Sequence, residues 1–403
     1  MKTIAELDPA MAIKPADADG VAWHLPFEAP MKLCGFHWFE TDKLYERLPM
    51  DRPETVTRFP NGEPQVILSK DCGAIQLSSN TAGGQVRFRT DSSRFLIQAT
   101  LASTGGMDHM AFTGSAGFDI YIKSGDIWKC LGVTRTDHSK RDFTTTVRAG
   151  LKRDMRDVII NFPLYNGVKS LAIGLDDDAK LEAPTPFVDD RPAVMYGTSI
   201  TQGGCATRPG MCSTNILSRM LNREVINLGF SGNGRGEPEI AAMLADIKNP
   251  SLYMLDYCWN TVIKEFAVTL PNVIDIIRAK HPTTPILLVA PTPGVEIYEE
   301  LQNPSPRLST QTLIMLEETQ KRNKNGDANV FFFNGFTESV GEDFWEGMVD
   351  GCHMTDLGFL RFAESILPHI QKILYGDAIG FRSLLSRSDG GSRRAKAQPS
   401  LSL

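Results

Sequence analysis

The sequence has no apolar run of the roughly 18–20 residues that a helix needs to cross a bilayer. Its N-terminal stretch, MKTIAELDPAMAIKPADADG, places acidic residues where a signal peptide needs an apolar core. The chain also lacks an excess of positive charge, because 42 Lys and Arg face 48 Asp and Glu, for a net charge of −6. We therefore expect a cytoplasmic protein that binds neither membranes nor nucleic acid.

The cysteines lack the regular spacing that is typical of a structural metal site. No CxxC pair occurs, and no histidine stands near Cys205 or Cys212 in the sequence to complete a zinc site. The seven cysteines follow no regular spacing: Cys34, Cys72, Cys130, Cys205, Cys212, Cys258 and Cys352. We expect free, mostly buried thiols in a reducing compartment, with no metal and no organic cofactor.

Two hydrophobic periodicities divide the chain. In the first half, short runs such as QVRFRTDS, RFLIQATL and DVIINFPLY alternate apolar and polar residues between Gly, Asp, Asn and Ser. That spacing is typical of an all-β sandwich, here expected to be jelly-roll-like. Beyond the proline-rich acidic segment EAPTPFVDDRP, continuous apolar runs such as AVMYG and PILLVAP alternate with helical stretches. This second pattern predicts a parallel sheet covered by helices on both faces.

These patterns predict four regions along the 403 residues. An N-terminal extension over 1–29 precedes the β-sandwich domain over 30–183, and a flavodoxin-like three-layer α/β/α domain follows over 184–376. Two domains suit this length, because one hydrophobic core rarely serves so long a chain. The remaining stretch, 377–403, is rich in Ser, Gly and basic residues and is predicted to be a disordered tail.

Polar residues follow the predicted strands at the edge where ligands bind to an open parallel sheet. Ser199 follows the first strand, Gly232 and Asn260 follow the next two, and Asp350 and His353 precede the last helix. A serine hydroxyl needs an adjacent base to act as a nucleophile, and histidine suits that task near neutral pH. Asp350 stands three residues before His353, a spacing that lets a tight turn bring the carboxylate to the imidazole ring.

The same residues also supply the donors that acyl transfer requires. A tetrahedral oxyanion needs preorganised hydrogen-bond donors, and the backbone N–H groups of Ser199 and Gly232 and the Asn260 amide are of that type. Each residue alone also suits a structural role, as a turn residue, a glycine with positive φ or a helix cap. Their joint presence at separate strand ends favours catalysis.

Four sequence blocks, YGTSITQGG, GFSGNG, DYCWN and DGCHMTDLGF, resemble in order and spacing those of the SGNH (GDSL) hydrolases. The resemblance makes Ser199, Gly232, Asn260 and His353 the four namesake residues. The upstream stretch GFDIYIKSGDIWKCLG, with ERLP and VRFRTDS before it, resembles the β-sandwich (GxDLY-type) that precedes one branch of that superfamily. The resemblance covers about residues 30–375 and implies ester hydrolysis by a Ser-His-Asp triad.

The sequence departs from the commonest family pattern in three places. Thr198 replaces the aspartate of the GDS motif, and DYCWN lacks the usual Gly-x-Asn-Asp order around Asn260. Met354 follows His353 where proline is frequent, a change that we expect to loosen the histidine turn. None of the three removes a required chemical group.

Other candidates carry two interpretations each. Trp259 and Trp345 are candidates for stacking on a sugar ring and equally for core packing. Arg208 is a candidate for binding an acidic group, and pairing with a carboxylate is the alternative. The proline-rich loop over 291–308 has the length of a lid or binding wall. Three cysteines near strand ends are weaker nucleophile candidates than the serine: Cys205, Cys258 and Cys352.

The sequence thus predicts a serine esterase that removes short acyl groups, acetyl above all, from carbohydrate or polyol substrates. The acyl preference and the sugar are implied by the family resemblance. Two alternatives stay open: a non-catalytic carbohydrate-binding protein with an inactive hydrolase domain, and an esterase, lactonase or thioesterase for a small non-sugar metabolite. The expected partner is the small-molecule or oligosaccharide ester, and a homo-oligomer is compatible with the sequence.

Overall fold

The computed structural model describes residues 16–51, 56–58, 64–66, 73–292, 307–339 and 342–376, together with residues 2, 4–8 and 13. The tail predicted over 377–403 and most of the loop predicted as a lid over 291–308 lie outside these residues. In the described part of the chain, no helix is both long and apolar enough to cross a membrane.

The described strands, in chain order, are β1 (Val21–His24), β2 (Lys32–Cys34), β3 (Val56–Arg58), β4 (Pro64–Val66), β5 (Gln85–Thr90), β6 (Phe95–Leu101), β7 (Asp119–Ser124), β8 (Ile127–Val133), β9 (Asp142–Arg148), β10 (Arg156–Asn161), β11 (Val168–Asp176), β12 (Leu181–Glu182), β13 (Ala193–Gly197), β14 (Val225–Gly229), β15 (Leu252–Asp256), β16 (Ile286–Val289) and β17 (Val330–Phe333). The described α-helices are α1 (Ile4–Leu7), α2 (Phe39–Asp42), α3 (Gly73–Ser78), α4 (Phe112–Ser115), α5 (Ser199–Gln202), α6 (Ser213–Leu221), α7 (Pro238–Asp246), α8 (Ile263–Lys280), α9 (Arg307–Lys324), α10 (Gly335–Glu338) and α11 (Asp356–Tyr375). Short 3₁₀ helices cover Pro209–Met211, Cys258–Asn260 and Glu342–Gly347.

Two antiparallel sheets form the β-sandwich that the sequence predicts. One has the strand order β1-β11-β6-β9, and the other has the order β12-β5-β10-β7-β8, with β2 beside β5. Side chains from both sheets, among them Phe88, Ile97 and Ile173, are fully buried in one shared core. The period-two pattern in the sequence is what such a core requires, because alternate residues of a strand point to opposite faces.

The sandwich begins earlier than the sequence pattern suggests. β1 pairs with β11 and lies inside the segment predicted as an N-terminal extension over 1–29. Its four residues are too few to show an alternating pattern, so its pairing is decided by the neighbouring strand rather than by its own sequence.

The second half of the chain forms a parallel sheet with the order β14-β13-β15-β16-β17. This is the flavodoxin-like order, in which the first strand lies between the second and the third. Val194 and Tyr196 of β13 pack in one core with α7 and α8, whereas Ala193 and Met195 pack in another core with α6 and α11. Helices therefore cover both faces, as the continuous apolar strands predict, and the α/β/α expectation is confirmed.

The outer face of the sandwich packs against the parallel-sheet domain through polar side chains. β5 directs Phe88 into the sandwich core and Gln85 and Arg87 toward the other domain. The Gln85 amide donates to Asn215 Oδ1 on α6 at 3.2 Å, and the Arg87 guanidinium donates to Asn222 Oδ1 at 3.2 Å. Both faces of this strand are buried, which explains why polar residues stand in an enclosed strand.

The aspartate of GFDIYI, Asp119, is the most deeply buried charge at this interface, with no exposed surface. Its carboxylate accepts hydrogen bonds from Asn161 Nδ2 at 2.7 Å and from the backbone N–H of Gly210 at 2.8 Å. It also pairs with the Arg208 guanidinium at 3.2 Å, and Arg208 contacts the Tyr121 hydroxyl as well. Asp119 therefore joins the sandwich to the loop that follows α5.

A second buried charge, Arg47 of the ERLP segment, is 1% exposed. Its guanidinium donates to the backbone carbonyls of Leu77 and Asn80 and to that of Gly229 at the end of β14. The cation also lies over the Phe230 ring at 4.7 Å. A buried guanidinium is stable only when its donors are satisfied, so these carbonyls fix where the ERLP segment meets the parallel sheet.

We expect the substitution Asp119→Asn to destabilise the protein by about 3–5 kcal/mol, because it leaves the Arg208 charge without its buried counter-ion. Denaturant-induced unfolding measures this loss. The matched control is Asp178→Asn, which removes a carboxylate from an exposed pair with Arg153 and should cost less than about 1 kcal/mol. Equal losses in the two variants would contradict the role given to Asp119.

Candidate active site

Ser199 is the first residue of α5 and follows directly on β13. Ser199 is 8% exposed, so its hydroxyl lies at the sheet edge with narrow access from solvent. The preceding residue, Thr198, still has an extended backbone, so the chain changes from strand to helix between Thr198 and Ser199. Such a turn holds a side chain above the carboxyl end of a parallel sheet, where ligands bind in this class of fold.

His353 and Asp350 meet Ser199 across the edge of the sheet. His353 Nε2 lies 2.9 Å from Ser199 Oγ, and His353 Nδ1 lies 2.7 Å from Asp350 Oδ2. The other carboxylate oxygen, Oδ1, accepts the backbone N–H groups of Cys352 at 3.0 Å and His353 at 2.7 Å. The three-residue spacing thus closes a tight turn in which one carboxylate orients both the backbone and the ring.

Asp350 is ionised at neutral pH. Partial burial opposes its ionisation, but the hydrogen bonds from His353 and Cys352 outweigh that effect and lower the pKa of the carboxyl to about 2. The carboxylate is therefore available to accept the Nδ1 proton and to stabilise a positive charge on the imidazole ring.

Gly232 and Asn260 lie in the segments that follow the two strands beside β13. Gly232 has a φ of +66° in the turn after β14, and Asn260 ends the 3₁₀ helix after β15. The Asn260 amide donates to the backbone carbonyl of Asn233 at 2.5 Å, which ties the two loops together. Because β14 and β15 are the neighbours of β13, the sheet order brings these loops to either side of the serine.

The family comparison agrees with this arrangement. Residues 190–371 match the model of the GDSL-like lipase/acylhydrolase family, and residues 21–181 match that of the N-terminus of Esterase_SGNH_hydro-type proteins. The chain thus carries a GDSL-like lipase/acylhydrolase domain behind an N-terminal domain of the Esterase_SGNH_hydro type. These domains make it an ester hydrolase, and the resemblance drawn from its four sequence blocks is confirmed at that level.

Solved structures share the fold over most of the chain. A protein described as a GDSL-like lipase from Bacteroides ovatus is 28% identical, with a TM-score of 0.74 over 88% of this chain and 98% of that one. A salicylyl-acyltransferase from a tetracycline biosynthetic pathway is 19% identical, with a TM-score of 0.64 over 87% and 96%. A family two carbohydrate esterase from Clostridium thermocellum is 14% identical, with a TM-score of 0.53 over 82% and 98%. No curated protein matches the sequence significantly.

Two of the three family departures, Thr198 and Met354, lie at buried positions in this hydrolase. Thr198 is fully buried, and beneath the same turn the Thr201 hydroxyl donates to Asp256 Oδ2 at 2.8 Å. Met354 is fully buried in the hydrolase core and forms a backbone bridge with Met348. The expectation that Met354 loosens the histidine turn is therefore wrong, because its side chain anchors the turn in the core.

The remaining sequence candidates lie in different surroundings. Trp259 is half-buried and packs against both cores of the hydrolase domain, whereas Trp345 is 47% exposed. Arg208 is committed to Asp119 between the two domains, which is the carboxylate pairing that the sequence left open as the alternative. Cys258 is fully buried, and burial raises the pKa of its thiol well above the usual range. Cys352 is half-buried, and its backbone N–H donates to Asp350.

Two residues of the sandwich that sequence reasoning missed lie beside the hydrolase residues. The His109 ring meets the His353 ring edge-on, with centroids 5.9 Å apart. The Tyr165 hydroxyl lies 3.4 Å from the backbone carbonyl of Ser199. Neither residue belongs to a local motif that signals chemistry, because both come from loops whose position depends on how the domains pack.

Cys205 also has histidine neighbours in space. Ligand atoms of Cys205, His109 and His353 lie within 4.8 Å of one another, so this cysteine, which has no histidine near it in the sequence, has two near it in the folded chain. Burial raises the pKa of the Cys205 thiol to about 12, which keeps it protonated, whereas metal ligation needs the thiolate. His353 is already hydrogen-bonded through both ring nitrogens, to Ser199 and to Asp350.

Asp256 predicts a pH dependence of stability. Burial raises the pKa of its carboxyl to about 7, against the lowering effect of the Thr201 hydrogen bond. Between the unfolded and folded pKa values the folded protein keeps a proton that the unfolded chain releases, so this group reduces stability as pH rises through that range. Each pH unit well between the two pKa values is worth about 1.4 kcal/mol, which predicts roughly 2 kcal/mol between pH 5 and pH 7, where the folded group is half titrated.

We therefore expect Asp256→Asn to gain stability relative to wild type as pH rises from 5 to 8. Denaturant unfolding at both pH values measures the gain. Asp246→Asn, which changes an exposed carboxylate at the end of α7, should leave the pH dependence as in wild type. A difference between Asp256→Asn and wild type that does not vary with pH would show that Asp256 is ionised throughout this range.

Proposed function

We propose that this hydrolase is a serine esterase that removes short acyl groups, acetyl above all, from hydroxyl groups of carbohydrate or polyol substrates. The observation that supports it best is the continuous line of hydrogen bonds from Ser199 Oγ through His353 to Asp350, at 2.9 and 2.7 Å. These distances fall in the range that proton transfer between a nucleophile and its base requires.

In the first half of the reaction, Ser199 Oγ attacks the ester carbonyl carbon while His353 Nε2 accepts the hydroxyl proton. The resulting imidazolium is stabilised by the Asp350 carboxylate, which holds Nδ1 in the protonated tautomer. His353 then gives its proton to the leaving alcohol as the C–O bond breaks, and the acyl group stays on Ser199. No metal or organic cofactor takes part in this proposal.

The negative charge on the carbonyl oxygen needs donors at the same edge. We assign this role to the backbone N–H groups of Ser199 and Gly232 and to the Asn260 amide. Support comes from the turn at Gly232 and from the bond between Asn260 and the Asn233 carbonyl, which fix two neighbouring loops before substrate arrives. Donors that are fixed in advance lower the barrier because nothing reorganises during the reaction.

In the second half, water takes the place of the alcohol. His353 Nε2 accepts a proton from the water as its oxygen attacks the acyl carbon, and the same donors hold the second oxyanion. His353 returns the proton to Ser199 Oγ when the acyl bond breaks. The products are the free acid and the original serine hydroxyl.

The sugar part of the proposal rests on a structural neighbour and on one exposed aromatic side chain. One structural neighbour is a family two carbohydrate esterase in complex with cellohexaose, at the level of a shared fold. Trp345 is half exposed and carries an aromatic face of the kind that sugar rings stack on, whereas Trp259 and Arg208 contact other protein groups. A non-catalytic carbohydrate-binding protein is disfavoured, because the hydrogen-bonded Ser-His-Asp set serves no purpose in simple binding.

We expect Ser199→Ala to reduce the hydrolysis of p-nitrophenyl acetate by a factor of at least about 10³, because it removes the nucleophile. Rates on the acetate, butyrate and octanoate esters should fall with chain length in the wild type. The control is Ser170→Ala, an exposed serine of β11, which should keep wild-type rates. Retention of activity in folded Ser199→Ala would rule out the serine mechanism.

We expect Asn260→Ala to lower kcat by about 10²–10³ with little change in KM, because the oxyanion exists only in the transition state. Steady-state kinetics on p-nitrophenyl acetate separate the two parameters. Asn325→Ala, an exposed asparagine after α9, serves as the control. A change confined to KM would make Asn260 a substrate-binding residue instead.

A further inference from the structure

A cavity lies where the sandwich reaches the proposed catalytic residues. Its volume is about 200 Å³. We call residues 103–107 together with Tyr165 the sandwich wall, since they form most of its boundary. The lining residues are Ser103, Thr104, Gly105, Gly106, Met107, Ser115, Tyr165 and Asn166.

The sandwich wall is held in place by contacts at both ends. Asn166 Oδ1 accepts the backbone N–H and the hydroxyl of Ser103, both at 3.1 Å, and the Asn166 amide donates to the Ser103 carbonyl at 3.1 Å. At the other end, the Thr113 hydroxyl donates to the Thr207 carbonyl of the hydrolase domain at 2.6 Å.

The contact beside Thr113 leaves no room for adjustment. A Cβ built on Gly114 would lie 1.9 Å from the carbonyl oxygen of Ala206, so only glycine permits this approach. Met110 is buried in the hydrolase core, and a backbone bridge joins it to Met107. The wall is therefore preorganised against the hydrolase domain, which is the condition for a specific binding site.

The cavity borders the residues that carry the proposed chemistry. The Tyr165 hydroxyl donates to the Ser199 carbonyl at 3.4 Å. A Cβ built on Gly204 would lie 2.9 Å from this hydroxyl and 3.1 Å from Cδ2 of the His353 ring, so both groups converge on one point. His109 approaches the same ring from the sandwich side, edge-on. Tyr165 therefore links the cavity to the proposed catalytic residues, and a group that extends from the wall past Tyr165 would reach the ring that protonates it on leaving.

The lining is polar but uncharged. Among the described residues that line the cavity, hydroxyl, amide and backbone groups predominate and none carries a formal charge. Burial raises the pKa of the Tyr165 hydroxyl, which keeps that group neutral. Asp108, which follows the wall in the sequence and does not line the cavity, is fully exposed to solvent and lies 3.2 Å from His109 Nδ1. An Nδ1–H donated to Asp108 leaves His109 Nε2 as an acceptor for a ligand hydroxyl.

We propose that the sandwich wall is the binding site for the leaving alcohol, and that this alcohol is an uncharged polyol about the size of one sugar unit. The inference rests on the proposed esterase function and adds to it that the sandwich selects the substrate. Hydroxyl groups of the ligand would exchange hydrogen bonds with Tyr165, Ser103 and His109, whereas a charged alcohol would find no counter-ion in the lining.

The test compares two acetyl esters that differ in the alcohol: methyl glucoside carrying one acetyl group at O6, and phenyl acetate. Thr104→Trp places an indole in the cavity from an exposed position, and His109→Asn shortens the polar group at its edge. We expect each variant to lower the ratio of kcat/KM for the sugar ester to kcat/KM for phenyl acetate by about tenfold, mainly through KM. Ser124→Trp, at the exposed end of β7, should keep the wild-type ratio.

Three outcomes would overturn the proposal. The first is a ratio that stays within about twofold of wild type in both cavity variants. The second is no turnover of the acetylated methyl glycosides of glucose, xylose and mannose. The third is a preference for acetylcholine or O-acetylserine, whose alcohols are charged.

A direct binding measurement separates this proposal from the esterase mechanism. Saturation-transfer NMR with acetylated methyl glucoside should show binding to Ser199→Ala and loss of that binding in the double variant with Thr104→Trp. If neither ester shows serine-dependent hydrolysis, the proposed mechanism fails whatever the binding result. If both esters are hydrolysed through Ser199 and the sugar ester does not bind, the polyol site alone is wrong.

Discussion

One buried ionic contact, between Asp119 and Arg208, is central to how the two domains meet. Its carboxylate has no exposed surface and also binds the backbone of Gly210, so the loop after α5 is held by the sandwich. A buried charge cannot exchange its partner for water without a large cost in free energy. The contact therefore favours a single orientation of the sandwich relative to the hydrolase domain. The positions of Tyr165 beside Ser199 and of His109 beside His353 depend on that orientation.

The hydrolase domain supplies the reactive residues by a simpler rule. Parallel strands end at one edge, and the order β14-β13-β15 places the loops of Gly232 and Asn260 on either side of Ser199. The last helix begins three residues after His353, so the turn that carries Asp350 reaches the same edge. Backbone geometry thus gathers residues that are up to 154 positions apart, and short hydrogen bonds then orient them.

Buried polar groups lie beneath the site, where Thr198 stands in place of the usual aspartate. Asp256 on the neighbouring strand accepts a hydrogen bond from the Thr201 hydroxyl under the same turn. Its burial has an energetic consequence, since a carboxyl with a raised pKa costs stability at neutral pH that a structural asparagine would not.

The sequence by itself determined the two fold classes and the set of reactive residue types, because hydrophobic periodicity and strand-end motifs are local properties that a linear pattern records. It predicted Ser199, Asp350 and His353 as partners, and the structure brings them within hydrogen-bonding distance. Only the tertiary structure decided that Arg208 binds Asp119, that β1 belongs to the sandwich and that Cys205 has histidine neighbours. The same holds for His109 and Tyr165, whose loops carry no local signal. Their places result from packing between distant segments, and that depends on complementary surfaces rather than on any pattern along the chain.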